Sequence, residues 1–284
     1  TSSVVQRATS GYLRLDMWHQ MLYAIAEQPW FGYGWNQTSL AQMTVYQQFP
    51  NHEWIKSAHN LILDLTVWNG VIIASLIIAY FVLWLFWLNR GVKDNISIIA
   101  SLMVCAILIH AMLEYPIHYA YFLLPMGFLL GIIQAQYKHL PALTLKPWIL
   151  RGGVATGVVI VAIVCWDFDV YRQQLYDVGA VQNKLIKKED SSLDKPIILL
   201  TQFKNRIEWV ELDPMSHVSD EKLAELKPMV QNNASSYDLK RYAKLLAYNG
   251  KIQEAQQQLW ILQHLYGQTI TIEELLAPPQ SAAK

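Results

Sequence analysis

The sequence predicts an all-α polytopic membrane protein that ends in a soluble helical segment. Hydrophobic residues make up 53% of the 284 residues and charged residues only 15%, whereas soluble domains carry roughly 25% charged residues. Residues 1–168 hold eight basic and seven acidic side chains, while residues 169–284 hold 14 and 15. This composition excludes a uniformly soluble globule, a nucleic-acid binder with a basic field and a disordered chain.

Four apolar runs predict four membrane-spanning helices, because about 20 apolar residues in a helix cross the ~30 Å hydrocarbon core. Asp64 is the only charged residue in the first run, and three glycines lower the helix propensity of the fourth. A buried soluble helix is therefore the competing interpretation of the fourth run. The predicted spans are about 61–88, 96–113, 119–136 and 152–168.

The short loops predict the orientation of these spans. Loop 89–95 holds Arg90 and Lys93, loop 137–151 holds three basic residues and no acid, and the turn 114–118 has no lysine or arginine. Cytoplasmic loops are rich in lysine and arginine. We therefore expect residues 1–58, the turn 114–118 and the residues after about 168 to face outward, which in a bacterium is the periplasm.

The apolar runs divide the chain into three expected regions. Residues 1–58 form an outward-facing loop with an amphipathic helix, residues 59–168 form the transmembrane region, and residues 169–284 form a soluble helical domain. The sequence pattern of residues 237–266 predicts a helical hairpin that resembles one tetratricopeptide unit. Because the chain begins in a polar segment without a methionine or a signal sequence, we expect it to be the C-terminal part of a longer protein.

Two polar clusters fall on the same predicted face of the membrane. The segment 57–60 (SAHN) places His59 at the outer end of the first span, and an imidazole accepts or donates a proton near neutral pH. The segment 114–119 (EYPIHY) packs an acid, a histidine and phenols into one turn. An interfacial histidine at a helix start and a membrane-interface turn are the competing interpretations, but two clusters on one face favour a functional site.

Arginines on the amphipathic helix are the third candidate element. The planar guanidinium groups of Arg14 and Arg7 suit phosphate or pyrophosphate, although a solvated arginine is the simpler interpretation. The sequence has no Walker loop, dinucleotide fingerprint or HExxH motif, and Cys105 and Cys165 both lie in apolar runs. We therefore expect neither a metal nor a cofactor.

Three segments together resemble the bacterial O-antigen ligase superfamily. Arg14 and Trp18 followed by 29–34 (PWFGYG) resemble its outer-loop motif, and 57–60 followed by Gly70 resembles its His-Asn motif at the start of a span. The run 114–122 (EYPIHYAYF) resembles the protein-glycosylating branch, the PglL-type O-oligosaccharyltransferases. The resemblance covers residues 10–135 well, whereas residues 169–284 match only in general character.

The resemblance implies a C-type glycosyltransferase fold in the bacterial inner membrane, with a periplasmic C-terminal domain. It implies a metal-independent, inverting enzyme that transfers an oligosaccharide from undecaprenyl pyrophosphate to a serine or threonine of a pilin or another periplasmic protein. It implies catalytic roles for His59, Arg14 and Tyr115. The expected substrate-binding residues are Asn60, Glu114, His118, Tyr119, Arg7 and Lys56.

Other functions stay open at this point. Ligation of O-antigen onto lipid A core and O-antigen polymerisation are alternatives within the superfamily, and a non-enzymatic membrane-anchored protein-binding module is an alternative outside it. The 114–119 run favours protein glycosylation, with the lipid-linked glycan, an acceptor protein and membrane lipid as partners and no nucleic acid. Because the superfamily has further spans and functional residues upstream, we expect the isolated chain to be inactive.

Overall fold

The computed structural model describes residues 2–137, 146–182 and 185–277, and for residues 2–13 it describes the backbone only. Within these ranges the chain is helical and contains no strand, which confirms the all-α prediction. Contacts divide the chain into two compact units, one formed by Thr1–Leu140 with Val218–Lys284 and the other by Pro141–His217.

The first unit holds the site and most of the helices. In chain order, those that the structure describes there are α1 (Ser2–Glu27), α2 (Thr38–Val45), α3 (Leu61–Asn89), α4 (Asn95–His110), α5 (Ala120–Gln134), α8 (Asp220–Asn232), α9 (Ser236–Tyr248), α10 (Ile252–Tyr266) and α11 (Ile272–Leu276). The described helices of the second unit are α6 (Pro147–Gln182) and α7 (Gln202–Glu211).

Helix α3 is broken at Gly70, whose φ of 73° and ψ of 170° are not helical. The segment before the break has all but one of its side chains buried or partly buried and packs against α1 and α2. Most side chains after Val71 are exposed although the helix is strongly apolar. The segment 71–89 is about 28 Å long at 1.5 Å per residue, close to the ~30 Å hydrocarbon core. We therefore assign the membrane-crossing part of the predicted span 61–88 to the residues after Gly70.

The loop that follows α1 fills this break. The break frees backbone groups of α3, and such groups must find partners wherever water is excluded. Three hydrogen bonds between the loop and α3 supply those partners: Tyr33 N–H to Val67 O (2.9 Å), Gly34 N–H to Trp68 O (3.0 Å) and Val71 N–H to Pro29 O (2.7 Å).

Two glycines make this close approach of backbones possible. A Cβ atom on Gly32 would lie 2.4 Å from the carbonyl oxygen of Val67, and one on Gly70 would lie 2.3 Å from the carbonyl oxygen of Trp30. Both glycines also have a positive φ, which other residues rarely adopt. The loop motif and the glycine that follows the histidine motif therefore contact each other directly. We call this contact between the α1–α2 loop and the break in α3 the joint.

Helices α4 and α5 correspond to the predicted spans 96–113 and 119–136. They are shorter than predicted, at 16 and 15 residues, and they pack against each other. Asp94 caps the start of α4 by accepting a hydrogen bond from Ser97 N–H at 2.7 Å. Their buried side chains form a small core with the end of α3, made of Leu88, Ala100, Val104 and Ile133.

The helices that follow residue 218 pack on the first part of the chain. The predicted hairpin is confirmed as α9 and α10. Helix α8 packs against α2, and the Ser39 hydroxyl donates to the carbonyl oxygen of Gln231 at 2.8 Å. The grouping differs from the predicted domain 169–284, because residues 218–277 belong to the unit that contains α1–α5.

The second unit is built on α6, which continues without interruption past the predicted boundary at residue 168. It begins at Pro147, in the first-turn position that suits proline, and its side chains become buried from Asp167 onward. The buried Asp167 carboxylate accepts from the backbone N–H groups of three successive residues, 198–200, at 2.6–2.8 Å. This contact folds the following segment back along the helix.

Candidate active site

The site lies where the chain enters α3, close to the end of α4. Asn60 caps α3, because its side-chain oxygen accepts from the N–H groups of Ile62 and Leu63 at 3.0 and 3.1 Å. Its amide nitrogen donates to the carbonyl oxygen of Met112 at 3.1 Å. Asn60 therefore ties the start of α3 to the end of α4, and this geometry favours a positioning role over the predicted substrate contact.

A buried carboxylate fixes the loop that carries His59. Asp64 is 2% exposed, and an ionised carboxylate is buried only where hydrogen bonds satisfy it. The loop places His59 at a φ of +52°, unusual for a residue other than glycine. The bonds to Asp64 come from Ser57 Oγ (2.5 Å), Ala58 N–H (2.8 Å) and Thr38 Oγ1 (2.9 Å).

Two further hydrogen bonds hold the same loop. The backbone N–H of His59 donates to Ser57 Oγ at 3.1 Å, and the indole N–H of Trp18 donates to the carbonyl oxygen of Ala58 at 2.8 Å. The loop is thus held from α3 and from α1. The sequence marks Asp64 as the one charge in an apolar run but carries no signal that Asp64 shapes the histidine loop.

Glu114 joins the two predicted clusters and the arginine. Its Oε2 lies 2.7 Å from His59 Nδ1, and its Oε1 accepts a hydrogen bond from Arg14 Nη2. The three side chains are 26–36% exposed, so the group opens to the surface. A carboxylate beside Nδ1 selects the tautomer in which Nδ1 carries the proton, which leaves the lone pair on Nε2.

Aromatic side chains surround the histidine. The ring of Tyr115 meets the His59 ring edge to face, with centroids 4.8 Å apart, and lies 5.7 Å from the rings of Tyr119 and His118. Hydrogen bonding with the Tyr119 phenol, with added repulsion from the Glu114 charge, raises the pKa of Tyr115. Tyr115 is therefore a neutral hydroxyl at physiological pH and can donate a hydrogen bond to a sugar or a phosphate oxygen.

The remaining predicted residues are placed differently. His118 and Tyr119 lie at the exposed edge of the cluster, where the His118 ring faces Trp68 at 5.9 Å. Lys56 is exposed, and its ammonium lies over the Trp54 ring at 4.8 Å. The side chain of Arg7 falls outside the described residues. The structure thus brings together Arg14, His59, Glu114, Tyr115, His118 and Tyr119.

This geometry combines a proton acceptor with a cation. Nε2 of His59 can take a proton from a hydroxyl, the Glu114 carboxylate stabilises the imidazolium that results, and the guanidinium of Arg14 can stabilise an anion nearby. Among the described residues, no group of three or more histidine, cysteine, aspartate or glutamate side chains could hold a metal ion.

Comparisons with known protein families agree with the resemblance inferred from the motifs. The family described as "Virulence factor membrane-bound polymerase, C-terminal" matches residues 98–271, and the family described as "O-Antigen ligase" matches residues 1–78. No solved structure matches the chain.

Two curated proteins of Acinetobacter baylyi (strain ATCC 33305 / BD413 / ADP1) are similar to this chain. One, named "General O-oligosaccharyltransferase", is 40% identical over 288 residues, which cover 100% of this chain and 50% of that protein. The other, named "ComP-specific O-oligosaccharyltransferase", is 39% identical over 135 residues, which cover 47% of this chain and 25% of that protein. The chain therefore spans about half the length of the first relative, and its match to the second covers a quarter of that protein.

The family match at residues 98–271 covers more than half of the chain, and the ligase match covers the segment with Arg14 and His59. Together with the apolar helices, these matches indicate association with a membrane. This chain belongs to the virulence factor membrane-bound polymerase C-terminal family, within the O-antigen ligase and O-oligosaccharyltransferase superfamily.

Proposed function

We propose that this chain carries the acceptor-activating part of a membrane-bound oligosaccharyltransferase. The enzyme transfers an oligosaccharide from undecaprenyl pyrophosphate to a serine or threonine hydroxyl of a periplasmic protein such as a pilin. The observation that carries the proposal is the Glu114 carboxylate, which contacts both His59 Nδ1 and Arg14. The names of the two Acinetobacter relatives support the same activity.

The proposed reaction is one displacement at the anomeric carbon of the first sugar. The acceptor hydroxyl gives its proton to His59 Nε2 as its oxygen bonds to that carbon. The bond from the carbon to the pyrophosphate oxygen breaks, and its electron pair leaves with the pyrophosphate. Attack from the side opposite the leaving group inverts the configuration, and the Glu114 carboxylate stabilises the imidazolium. A positioned base of this kind contributes about 10²–10⁴-fold in rate.

The reaction also requires that the negative charge on the leaving pyrophosphate be stabilised, and we assign this role to Arg14. A guanidinium has five N–H donors in a rigid fork, and the contact with Glu114 engages only the Nη2 nitrogen. The side chain is 35% exposed, so its other donors can reach a phosphate oxygen. Tyr115, held neutral, adds a hydroxyl donor beside the histidine. Because the pyrophosphate is already a good leaving group, the reaction as proposed uses neither a metal nor a cofactor.

The proposed location is the periplasmic face of the inner membrane. Arg90 and Lys93 follow the C-terminal end of α3, while His59 precedes its N-terminal end. The excess of lysine and arginine in cytoplasmic loops then puts the histidine loop on the opposite, periplasmic side. Residues 218–277 pack on the same part of the chain as the histidine loop, so we place them on that side as well.

A second candidate function is transfer of the glycan to another sugar, as in O-antigen ligation or polymerisation. It is favoured by the descriptions of the two matching families, which name a ligase and a polymerase. The same base and cation would serve this reaction, because a sugar hydroxyl and a serine hydroxyl are deprotonated alike. Only the identity of the acceptor distinguishes the two functions, because both use the same base and the same cation.

A deletion strain complemented with the whole gene tests the proposal. We expect peptide mass spectrometry to find glycan on serine or threonine of a periplasmic protein, lost on deletion and restored on complementation. We expect the lipopolysaccharide ladder to be unchanged by the deletion. Intact protein glycosylation together with loss of long-chain lipopolysaccharide would replace this proposal with the second function.

A further inference from the structure

The loop between α1 and α2 exposes an unusual number of large aromatic side chains. Trp30 is 64% exposed, Phe31 81% and Trp35 63%, and Phe31 is the most exposed large apolar side chain in the part of the chain that the structure describes. Side chains of this size are normally removed from water, because burying apolar surface is the main favourable term in folding. An exposed cluster of three therefore indicates a contact with an apolar phase.

This aromatic cluster is held in place and not merely displayed on a mobile loop. The backbone of the loop is hydrogen-bonded to α3 at Val67, Trp68 and Val71, and the glycine contacts at Gly32 and Gly70 leave no space between the two segments. The Tyr33 hydroxyl also donates to the carbonyl oxygen of Ala24 at 3.0 Å, which fixes the loop to α1.

The position of the cluster along α3 indicates what the apolar phase is. The hydrogen bond from Val71 N–H to Pro29 O places the loop beside the first turn after the break. That turn consists of Val71, Ile72 and Ile73, which are 40–54% exposed and begin the apolar segment assigned to the hydrocarbon. The loop therefore lies beside the start of the exposed apolar segment of α3, with the Trp35 ring 5.1 Å from the Trp68 ring one turn earlier.

Polar residues flank the cluster on both sides. Glu27 and Gln28 precede it and Asn36 and Gln37 follow it, so the loop has an apolar tip and a polar base. Tryptophan is enriched at the membrane–water interface, because its ring is apolar and its N–H prefers a wet surface. This pattern fits a segment that enters the lipid surface shallowly without crossing it.

We propose that the loop Pro29–Trp35 is an interfacial anchor, in which Trp30, Phe31 and Trp35 insert into the lipid surface where α3 enters the hydrocarbon. The partner is the headgroup–acyl boundary of the bilayer. Because the same loop is bonded to α3 next to Asp64 and the histidine loop, the anchor sets the height of His59 above the lipid. This inference is independent of the proposed transfer reaction.

Fluorescence quenching in lipid nanodiscs tests the anchor. In the full-length protein with its native cysteines replaced, Phe31→Cys is labelled with an environment-sensitive dye and placed in phosphatidylethanolamine–phosphatidylglycerol nanodiscs. Trp35→Cys is a second labelling position, and Tyr237→Cys on the exposed face of α9 is the water-exposed control. The quenchers are aqueous iodide and a lipid with a nitroxide near the carbonyl end of its acyl chain.

The expected result is quenching of the position 31 and 35 labels by the nitroxide lipid, about threefold stronger than that of the position 237 label, because interfacial segments reach only the upper acyl chain. Iodide should quench mainly the control. Iodide quenching of positions 31 and 35 equal to the control would put the loop in water and overturn the proposal. Protection from both quenchers would show that protein covers the loop, which would also overturn it.

Discussion

At the scale of single residues, Glu114 organises the site. It lies 100 residues from Arg14 and 55 from His59 in the sequence, yet its two oxygens are shared between them. Glu114 lies close to His59 because the start of α3 is bonded to the end of α4: Leu61 N–H donates to the carbonyl oxygen of Ala111 at 2.9 Å. The carboxylate then selects the histidine tautomer, as in other sites where an acid orients a catalytic imidazole.

Replacing Glu114 by glutamine tests this role. Glutamine keeps the size of the side chain but removes the charge that stabilises an imidazolium, so we expect turnover to fall about 10²-fold. The KM for the acceptor should change much less than the turnover. The measurement is glycan transfer to an acceptor peptide by the purified full-length enzyme.

Asp16→Asn is the matched control for Glu114→Gln, since Asp16 is an exposed acid on α1. It should leave the rate of transfer unchanged. A Glu114→Gln enzyme with the turnover of the control would show that the carboxylate does not assist the histidine.

Replacing Arg14 by lysine keeps the positive charge but removes the planar set of N–H donors of the guanidinium. A single ammonium cannot hold Glu114 and grip two phosphate oxygens at once, so we expect transfer to fall at least about 10-fold. Donor titration with the same peptide assay measures the change, and Arg90→Lys in the loop after α3 serves as the control. Near-normal turnover of the Arg14→Lys enzyme would remove Arg14 from the pyrophosphate role.

At the scale of elements, the joint between the α1–α2 loop and the break in α3 links membrane insertion to the site. The segment of α3 before Gly70 carries Asp64, which holds the histidine loop, and the segment after it is apolar and mostly exposed. The sequence could indicate each half of the joint, because both are glycine motifs. It could not show that they meet, since a glycine within an apolar run carries no local sign of a break.

Replacing Gly70 by alanine tests the joint. A Cβ there would lie 2.3 Å from the Trp30 carbonyl oxygen, at a φ of 73° that alanine rarely adopts. Strain of this kind costs roughly 1–3 kcal/mol, so we expect a lower melting temperature in detergent together with reduced transfer. Gly127→Ala on α5 is the control, because nothing lies within 4 Å of a Cβ there. Equal melting temperatures for the two variants would contradict the described packing.

At the scale of the whole molecule, the helices after residue 218 support the segment that leads into the site. Ser39 donates to Gln231 O and accepts a hydrogen bond from the Trp54 indole. The Tyr46 and Trp260 rings meet edge to face with centroids 6.0 Å apart. We therefore infer that residues 218–277 hold the 38–56 segment. Their helical hairpin α9–α10 motivates a second proposed role, which is recruitment of the acceptor protein.

Removing residues 218–284 from the full-length enzyme distinguishes these roles. Loss of support should reduce transfer to a short peptide as well as to a folded acceptor, whereas loss of recruitment alone should affect only the folded acceptor. Ser39→Ala cuts one connection without removing helices, and we expect it to produce a smaller loss with both acceptors. Unchanged modification of both acceptors after the truncation would contradict both roles.

The sequence predicted the helical class, the α9–α10 hairpin and the residues of the two polar clusters, because periodicity and scarce charges in apolar runs are local signals. It did not predict the grouping of residues 218–277 with α1–α5, or the continuation of α6 past residue 168. These depend on hydrogen bonds between distant segments. Asp64 shows the difference well, since the sequence marks its charge but not its partner Thr38, which lies 26 residues away.

The proposed function depends on His59 accepting the proton of the attacking hydroxyl. The most direct measurement is transfer by His59→Ala and His59→Asn in the full-length enzyme, because asparagine tolerates the positive φ of this loop. His217→Ala, at an exposed histidine in the other compact unit, is the control. We predict a loss of at least about 10²-fold in glycosylated acceptor for both His59 variants at matched protein levels. Glycosylation at the wild-type rate by either variant would show that His59 is not the base.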